Sequence, residues 1–187
     1  MKLKEILKIE NPSYPLKDFE RISEILLNNS VLKVGDKSFR ICAIEFYFKR
    51  DNHVDDSVHA HKRQLTCGEW YFHGSGLDIT FGDETEYGGI LIQAIQLMNG
   101  SNDKPLIAGP LKSVTALFEA FGSALNHQLN FGLEEFKHKH EKIISAPRVG
   151  LNEEKVGDHF SKGYRFIIFP KEGHSRKGDI IKYLVDP

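Results

Sequence analysis

The chain has 187 residues, of which 40% are hydrophobic and 27% charged; this is typical of a globular protein with one core and excludes a mainly disordered chain. Its formal net charge is −1 at pH 7, so it lacks the basic balance of many duplex DNA-binding proteins. No apolar run has the length of a membrane span, and charged residues interrupt the start, which does not fit a secretory signal. We expect a cytoplasmic monomer with a single domain over residues 1–187, of which 1–16 form an N-terminal extension.

The first predicted elements are a helix and a hairpin. Apolar residues at helical spacing predict an amphipathic helix from Asp18 to Asn28. A strand over Val31–Val34, a turn at 35–37 and a strand over Ser38–Phe48 then follow as a hairpin.

The second strand of this hairpin carries a carboxylate in apolar surroundings. Alternation places Glu45 and Tyr47 on one face, next to apolar side chains. Burial disfavours the charged form of a carboxylate, so Glu45 is paired, neutral, or kept for its basicity. A glutamate at a strand end is more often solvated or salt-bridged than catalytic. His59 favours a functional pocket, because it lies in a long polar loop over 49–64, for which we expect at most one helical turn, around 55–61.

The remaining elements predict the fold class. Strands over 69–73 and 77–81 flank a glycine-rich turn at 74–76. Residues 90–97 are apolar on nearly all sides, as in a central strand, and a helix begins at Pro110. The closing strands are predicted at 147–151, 164–169 and 180–185. The sequence therefore predicts an α/β fold of the α+β type, with one mixed, mostly antiparallel sheet and a few flanking helices.

The first strand after the loop adds aromatic side chains to the pocket. Tyr71 and His73 share one face, whereas Trp70 and Phe72 share the other and are expected to be buried. Facing the pocket, Tyr71 and His73 would provide flat surfaces on which a heterocycle can stack.

Histidines raise a metal-site alternative. Nitrogen ligands for zinc could come from His53, His59, His61 and His73, but their spacing matches no known zinc motif. We assign no metal ligand and keep a metal-dependent hydrolase as an alternative hypothesis.

Local basic residues are candidates for contacts with nucleic acid. The helix start Gly109-Pro110 presents backbone amides beside Lys112, an arrangement suited to phosphate. The residues that we assign to nucleic-acid binding are Lys62, Arg63, Lys112 and Arg148.

The order of these elements resembles the alkyladenine (3-methyladenine) DNA glycosylase family over most of the chain. The segments that carry the resemblance are the helix 19–27, Glu45-Phe-Tyr47, the Asp55 to His59 spacing, Gly68-Glu-Trp-Tyr71, the strand 90–95, Gly109-Pro110 with Lys112, Pro147-Arg-Val-Gly-Leu151 and Tyr164-Arg-Phe166. No single motif is specific to that family, but the ordered set is.

The resemblance implies an enzyme that extrudes a nucleotide and hydrolyses its base–sugar bond without metal or cofactor. It implies that Glu45 activates the attacking water and that Tyr47 and His59 line the pocket. An oxocarbenium-like transition state needs such a carboxylate to accept a proton from water. We therefore predict a DNA-repair hydrolase that excises damaged or alkylated bases, acting on DNA, including single-stranded DNA, or on a nucleoside-like molecule.

Several positions depart from the family pattern. Gln93, which we place in the substrate site, replaces an arginine, and His73 replaces a pocket aromatic. The turn 74–76 lacks the bulky aromatic that the family inserts into the duplex, and the asparagine that excludes guanine falls near Gly82 or Asp83. These changes weaken duplex binding and base extrusion but keep the hydrolytic carboxylate. The alternative is a non-catalytic nucleic-acid-binding or nucleotide-binding protein on the same scaffold.

Overall fold

One antiparallel sheet organises the structure, a computed structural model that describes residues 3–98, 104–125 and 128–174. The strands are β1 (Ser30–Val34), β2 (Lys37–Lys49), β3 (Cys67–His73), β4 (Gly76–Phe81), β5 (Tyr87–Met98), β6 (Ile107–Ala108), β7 (Phe131–Glu135), β8 (Ile144–Ala146) and β9 (Arg165–Ile167). Their main order is β3-β4-β5-β2-β1-β7, with β6 on β5, β9 on β2 and β8 on β9. The predicted α+β fold is confirmed.

Helices flank this sheet. They are α1 (Leu3–Ile6), α2 (Leu16–Asn28), α3 (Pro110–Glu119) and α4 (Glu153–Val156), with 3₁₀ helices at Lys62–Leu65 and Gly157–Phe160. The predicted amphipathic helix is confirmed as α2, although it begins at Leu16. The helical turn expected around 55–61 forms instead at Lys62–Leu65. Within the described ranges no helix is long and apolar enough to cross a membrane.

The core lies between α2 and one face of β2. The ring of Phe19 stacks on that of Phe46, with centroids 4.2 Å apart, and meets that of Phe48 edge-on at 6.4 Å. Leu7, from the predicted N-terminal extension, is also fully buried in this core. Because side chains alternate along a strand, Glu45 and Tyr47 lie on the sheet face opposite α2.

Strand β2 is the centre of the sheet because it has partners along both edges. One edge pairs with β5 from Ser38 to Lys49, and the other pairs with β1 and then with β9. Cross-strand partners form a row in the order Tyr71, Asp78, Leu91, Glu45 and Arg165. Residues directly opposite one another project from the same sheet face, so this row brings polar groups from distant parts of the chain together.

The segment 147–151 is not a strand, contrary to the prediction. Pro147 has no N–H for a ladder, and Gly150 has a φ of 77°, which is outside the β region. The strand predicted at 164–169 is shortened to β9, and the one predicted at 180–185 lies outside the described residues.

The outer face of β3 is more exposed than predicted. Phe72 is 42% exposed, and its ring stacks on that of Phe118 with centroids 5.6 Å apart. Trp70 is partly buried against Phe131. The prediction that Phe72 is buried is wrong, because α3 and β7 cover only part of this face.

Candidate active site

A cavity of about 250 Å³ opens on the sheet face opposite α2. The strands contribute Tyr47, His73, Asp78, Leu91 and Gln93, the polar loop and its 3₁₀ helix contribute Ser57, His59 and Gln64, and Ser75, Pro110 and residues 149–151 complete the lining. Four of the predicted substrate residues, Tyr47, His59, His73 and Gln93, therefore share one cavity.

Glu45 lies directly beneath the lining of this cavity and is 0% exposed. Its Oε2 accepts a hydrogen bond from the Tyr47 hydroxyl at 2.9 Å, and its Oε1 accepts one from the Val149 N–H at 2.9 Å. The Gln93 side chain lies close enough to the carboxylate to lower the pKa of Glu45 slightly. Arg165 Nε lies 3.8 Å from Oε1. The carboxylate is thus held in place by groups that themselves face the cavity.

The surroundings of Glu45 raise its affinity for a proton. Burial raises the pKa of Glu45, and the hydrogen bond from Val149 and the charge of Arg165 offset this only in part. A carboxylate with a raised pKa accepts a proton from water more readily than an ordinary one. Burial and the charge of Glu45 also raise the pKa of Tyr47, so the phenol keeps its proton and remains a donor to Glu45.

Arg148 is buried behind the cavity lining, in contact with Asp55 and Tyr47. Its Nη1 donates to Asp55 Oδ2 at 2.7 Å, and both side chains are 0% exposed. Its guanidinium lies 4.6 Å from the centroid of the Tyr47 ring. Burial raises the pKa of Asp55, but the charge and hydrogen bond of Arg148 outweigh it, and the net shift is downward. The prediction that Arg148 binds nucleic acid is not compatible with this position, because a phosphate cannot reach a fully buried guanidinium.

Rings from the loop and β3 pack around one side of the cavity. His59 meets His73 edge-on with centroids 4.5 Å apart, and His61 stacks on Tyr71 at 4.6 Å. Desolvation of the ring is the largest of the causes that lower the pKa of His59, which favours a neutral imidazole. Tyr71, predicted to contact substrate, is not among the cavity-lining residues and instead packs against His73 and His61.

The four histidines of the metal hypothesis do not converge. Both nitrogens of His53 are engaged elsewhere, with the Phe48 carbonyl at 2.9 Å and the Tyr164 hydroxyl at 3.0 Å. In the part of the chain that the structure describes, no group of three or more histidine, cysteine, aspartate or glutamate side chains could hold a metal ion. The metal-dependent hydrolase therefore has no geometric support in these residues.

The predicted site did not include two buried polar residues of the cavity. Asp78 is 3% exposed and Gln64 is 1% exposed, and both line the cavity. A sequence signal was present for Asp78, since it is a charged residue inside the apolar strand Gly76–Phe81. For Gln64 the polar loop gave no such signal.

The other predicted nucleic-acid contacts are placed where a phosphate can reach them. Lys62 and Arg63 are exposed and precede the cavity-lining Gln64, whereas Lys112 is exposed and follows the cavity-lining Pro110. A further exposed cation, Lys155, is close enough for its charge to lower the pKa of His59. Cationic side chains therefore accompany the cavity from three separate elements.

Comparison with known proteins places the chain in a family. It is 30% identical over 197 residues to an uncharacterized protein of Acanthamoeba polyphaga mimivirus, an alignment that covers 85% of this chain and 89% of the viral protein. The chain belongs to the same family as this mimivirus protein. No protein-family model matches the chain. Since the viral protein is itself uncharacterized, the relationship provides no activity.

Proposed function

We propose that this protein is a glycosylase-like hydrolase that releases a base by cleaving the base–sugar bond, with Glu45 as the general base. The observation that carries the proposal is the position of a buried carboxylate with a raised pKa directly beneath a cavity of about 250 Å³. A flat base enters this cavity between histidine and tyrosine rings, which suit stacking.

The chemistry assigned to Glu45 is proton transfer. As the bond between C1′ of the sugar and the base breaks, the base leaves with the bonding electron pair, and positive charge develops on the sugar. Water adds to C1′ and gives its proton to Glu45. Tyr47 and Val149 hold the carboxylate in position through their hydrogen bonds, which limits the reorganisation that the step requires.

Access of water to the carboxylate depends on Gln93. This side chain lines the cavity and lies close enough to Glu45 to lower the pKa of that carboxylate. Because an amide is neutral, rotating it away from Glu45 leaves no unpaired charge in the cavity. Water then takes the vacated position beside the carboxylate.

We infer that the substrate is a nucleotide of DNA, with single-stranded DNA preferred. Exposed Lys62, Arg63 and Lys112 provide phosphate contacts beside the cavity. The hairpin tip 74–76 has no bulky side chain to insert into a duplex, and an unpaired nucleotide costs less to extrude than a paired one.

A second candidate is a binding protein that does not hydrolyse its ligand. It is favoured by the complete burial of Glu45 and by the donors that already occupy its oxygens. In that case the cavity would hold a base without cleaving it.

Substitution of Glu45 by glutamine distinguishes the two candidates. We expect Glu45→Gln to slow base release by at least about 10²-fold, the usual contribution of a general base, and to leave binding intact. Release is measured in single turnovers on single-stranded and duplex oligonucleotides that carry one alkylated or deaminated base. Exposed Glu84 provides the matched control, because Glu84→Gln removes the same charge outside the cavity. A wild-type protein that binds these oligonucleotides but releases no base would support the second candidate.

A further inference from the structure

We propose that Asp78 determines substrate specificity by accepting N–H donors from the base, and that it selects a base with two adjacent donors, as on the 2-amino-6-oxopurine edge of guanine. This inference rests on the proposed function, because it takes the cavity to be the base site. It goes beyond the resemblance noted above, in which an asparagine serves to exclude guanine.

The hydrogen bonds of His73 make Asp78 an acceptor. His73 Nδ1 accepts the Ser75 N–H at 3.2 Å, which leaves the proton of a neutral imidazole on Nε2. His73 Nε2 then donates to Asp78 Oδ1 at 3.0 Å. The imidazole is therefore held in the tautomer whose Nε2–H points at Asp78.

Gln64 donates a hydrogen bond to the other carboxylate oxygen of Asp78. Its Oε1 accepts the His61 N–H at 3.1 Å, so its amide nitrogen faces Asp78 Oδ2 at 3.4 Å. Among the described residues, His73 is the basic side chain in contact with Asp78, and no lysine or arginine pairs with it. Asp78 is thus a buried carboxylate held by His73 and Gln64, and it lines the cavity.

The pairing of the strands sets a distance between Asp78 and Glu45 that a base can span. Both residues are cross-strand partners of Leu91, one on each side. Neighbouring strands are about 4.8 Å apart, so the backbones of the two acids are separated by roughly two strand spacings. Leu91 lies between them on the cavity floor. A base over Leu91 can present its sugar bond towards Glu45 and its far edge towards Asp78.

A close backbone approach makes room for this carboxylate. A Cβ on Gly89 would lie 2.5 Å from Asp78 Oδ2 and 2.8 Å from Gln64 Nε2. Glycine is therefore required at this position of β5 if Asp78 and Gln64 are to keep their present places.

The free acceptor positions of the Asp78 carboxylate determine which hydrogen-bonding edge of a base fits the cavity. Each carboxylate oxygen has two lone-pair sites, and His73 and Gln64 occupy one on each oxygen. The remaining sites match two neighbouring N–H donors, such as the ring N–H and the 2-amino group of guanine. A base whose ring nitrogen is an acceptor there would face repulsion, and hypoxanthine, which lacks the 2-amino group, would lose one charge-assisted hydrogen bond.

The test compares guanosine with inosine, which differ by this 2-amino group. Binding of each nucleoside to the wild-type protein is measured by calorimetry, and chromatography of the recovered nucleoside shows whether hydrolysis took place. We expect guanosine to bind at least about ten-fold more tightly than inosine, the usual contribution of a hydrogen bond to a charged group. In Asp78→Asn the preference should fall to about two-fold or less. Asp36→Asn, at an exposed turn, is the matched control and should retain it.

Equal binding of the two nucleosides, or no guanosine binding up to its solubility limit, would overturn the assignment of Asp78. This comparison uses the wild-type protein, so it stands even if Asp78→Asn does not fold. Hydrolysis is measured separately from binding. Selective binding of guanosine without base release would contradict the proposed function and leave the role of Asp78 intact. Base release without a preference for guanosine would support the proposed function and contradict the role of Asp78.

Discussion

At the scale of single residues, Glu45 combines complete burial with partners that favour its charge. Burial dominates, so its pKa is raised in the folded protein above the ordinary value of 4.5. A group with a raised folded-state pKa binds its proton more tightly when the chain is folded. Its contribution to stability is full below the ordinary pKa and is lost as pH rises through the folded value.

Denaturation of the wild type and Glu45→Gln at several pH values tests this linkage. We expect the free energy of unfolding of the wild type to fall, relative to that of Glu45→Gln, as the pH rises from the ordinary value of 4.5 to mildly alkaline pH. The reason is that only the wild type must bury a charge at the higher pH. Urea denaturation of both proteins, followed across that range, measures the difference. A difference that does not change with pH would contradict the raised pKa.

Sequence patterns revealed which residues face one another but not how deeply they are buried. Alternation along one strand was enough to place Glu45 beside Tyr47. No local pattern indicated that Arg148 is buried, because its partner Asp55 is distant in the sequence. Asp78 carried a local signal as a charged residue within an apolar strand, but its proximity to Glu45 depends on the pairing of both strands with β5, which no local pattern specifies.

At the scale of elements, two irregular segments hold the cavity together. The loop after β2 and the segment 147–151 have few backbone hydrogen bonds to each other, and the buried pair of Asp55 and Arg148 joins them. Arg148 Nη1 also donates to the Phe46 carbonyl at 3.1 Å. The pair therefore fixes both segments to β2 beneath Tyr47.

Removal of one member of this pair should be costly. Arg148→Met leaves the Asp55 charge buried and unpaired, and we expect a loss of about 3–5 kcal/mol in the free energy of unfolding. The double variant Asp55→Asn/Arg148→Met should be less destabilised than Arg148→Met alone. Urea denaturation measures both. Arg63→Met is the control, since Arg63 and its partner Glu69 are exposed and their interaction contributes about 0–1 kcal/mol. Equal losses of unfolding free energy in Arg148→Met and Arg63→Met would show that the buried pair is not needed for stability.

The long periodic elements could be predicted, whereas the short ones could not. Helix α2 and strand β2 carry clear periodicity over ten or more residues, and β5 contains a long apolar run. Strand β6 has only two residues, and β7 contains a glycine and two glutamates. Both form because β5 and β1 offer free edges, a tertiary cause that local propensity does not record.

At the scale of the whole molecule, the net charge of −1 conceals an uneven distribution. Exposed Lys62, Arg63 and Lys112 lie beside cavity-lining residues, whereas α2 covers the opposite face of the sheet. Local clustering of cations can bind phosphates even when the total charge is near zero.

Single lysine substitutions test this distribution. We expect Lys62→Ala and Lys112→Ala each to weaken binding of single-stranded DNA and to reduce the slope of log affinity against log salt concentration by about 0.7, the value for one phosphate contact on a single strand. Lys17→Ala, on the exposed side of α2, is the control and should change neither quantity. Binding is measured by fluorescence anisotropy over a range of salt concentrations. Equal effects of all three substitutions would show that DNA does not approach the cavity face.

The four-residue 3₁₀ helix Lys62–Leu65 has side chains both in solvent and in the cavity. Its exposed cations face solvent, and its Gln64 amide faces Asp78 inside the cavity. Under the proposed function, this single turn would carry both a phosphate contact and a residue of the base site.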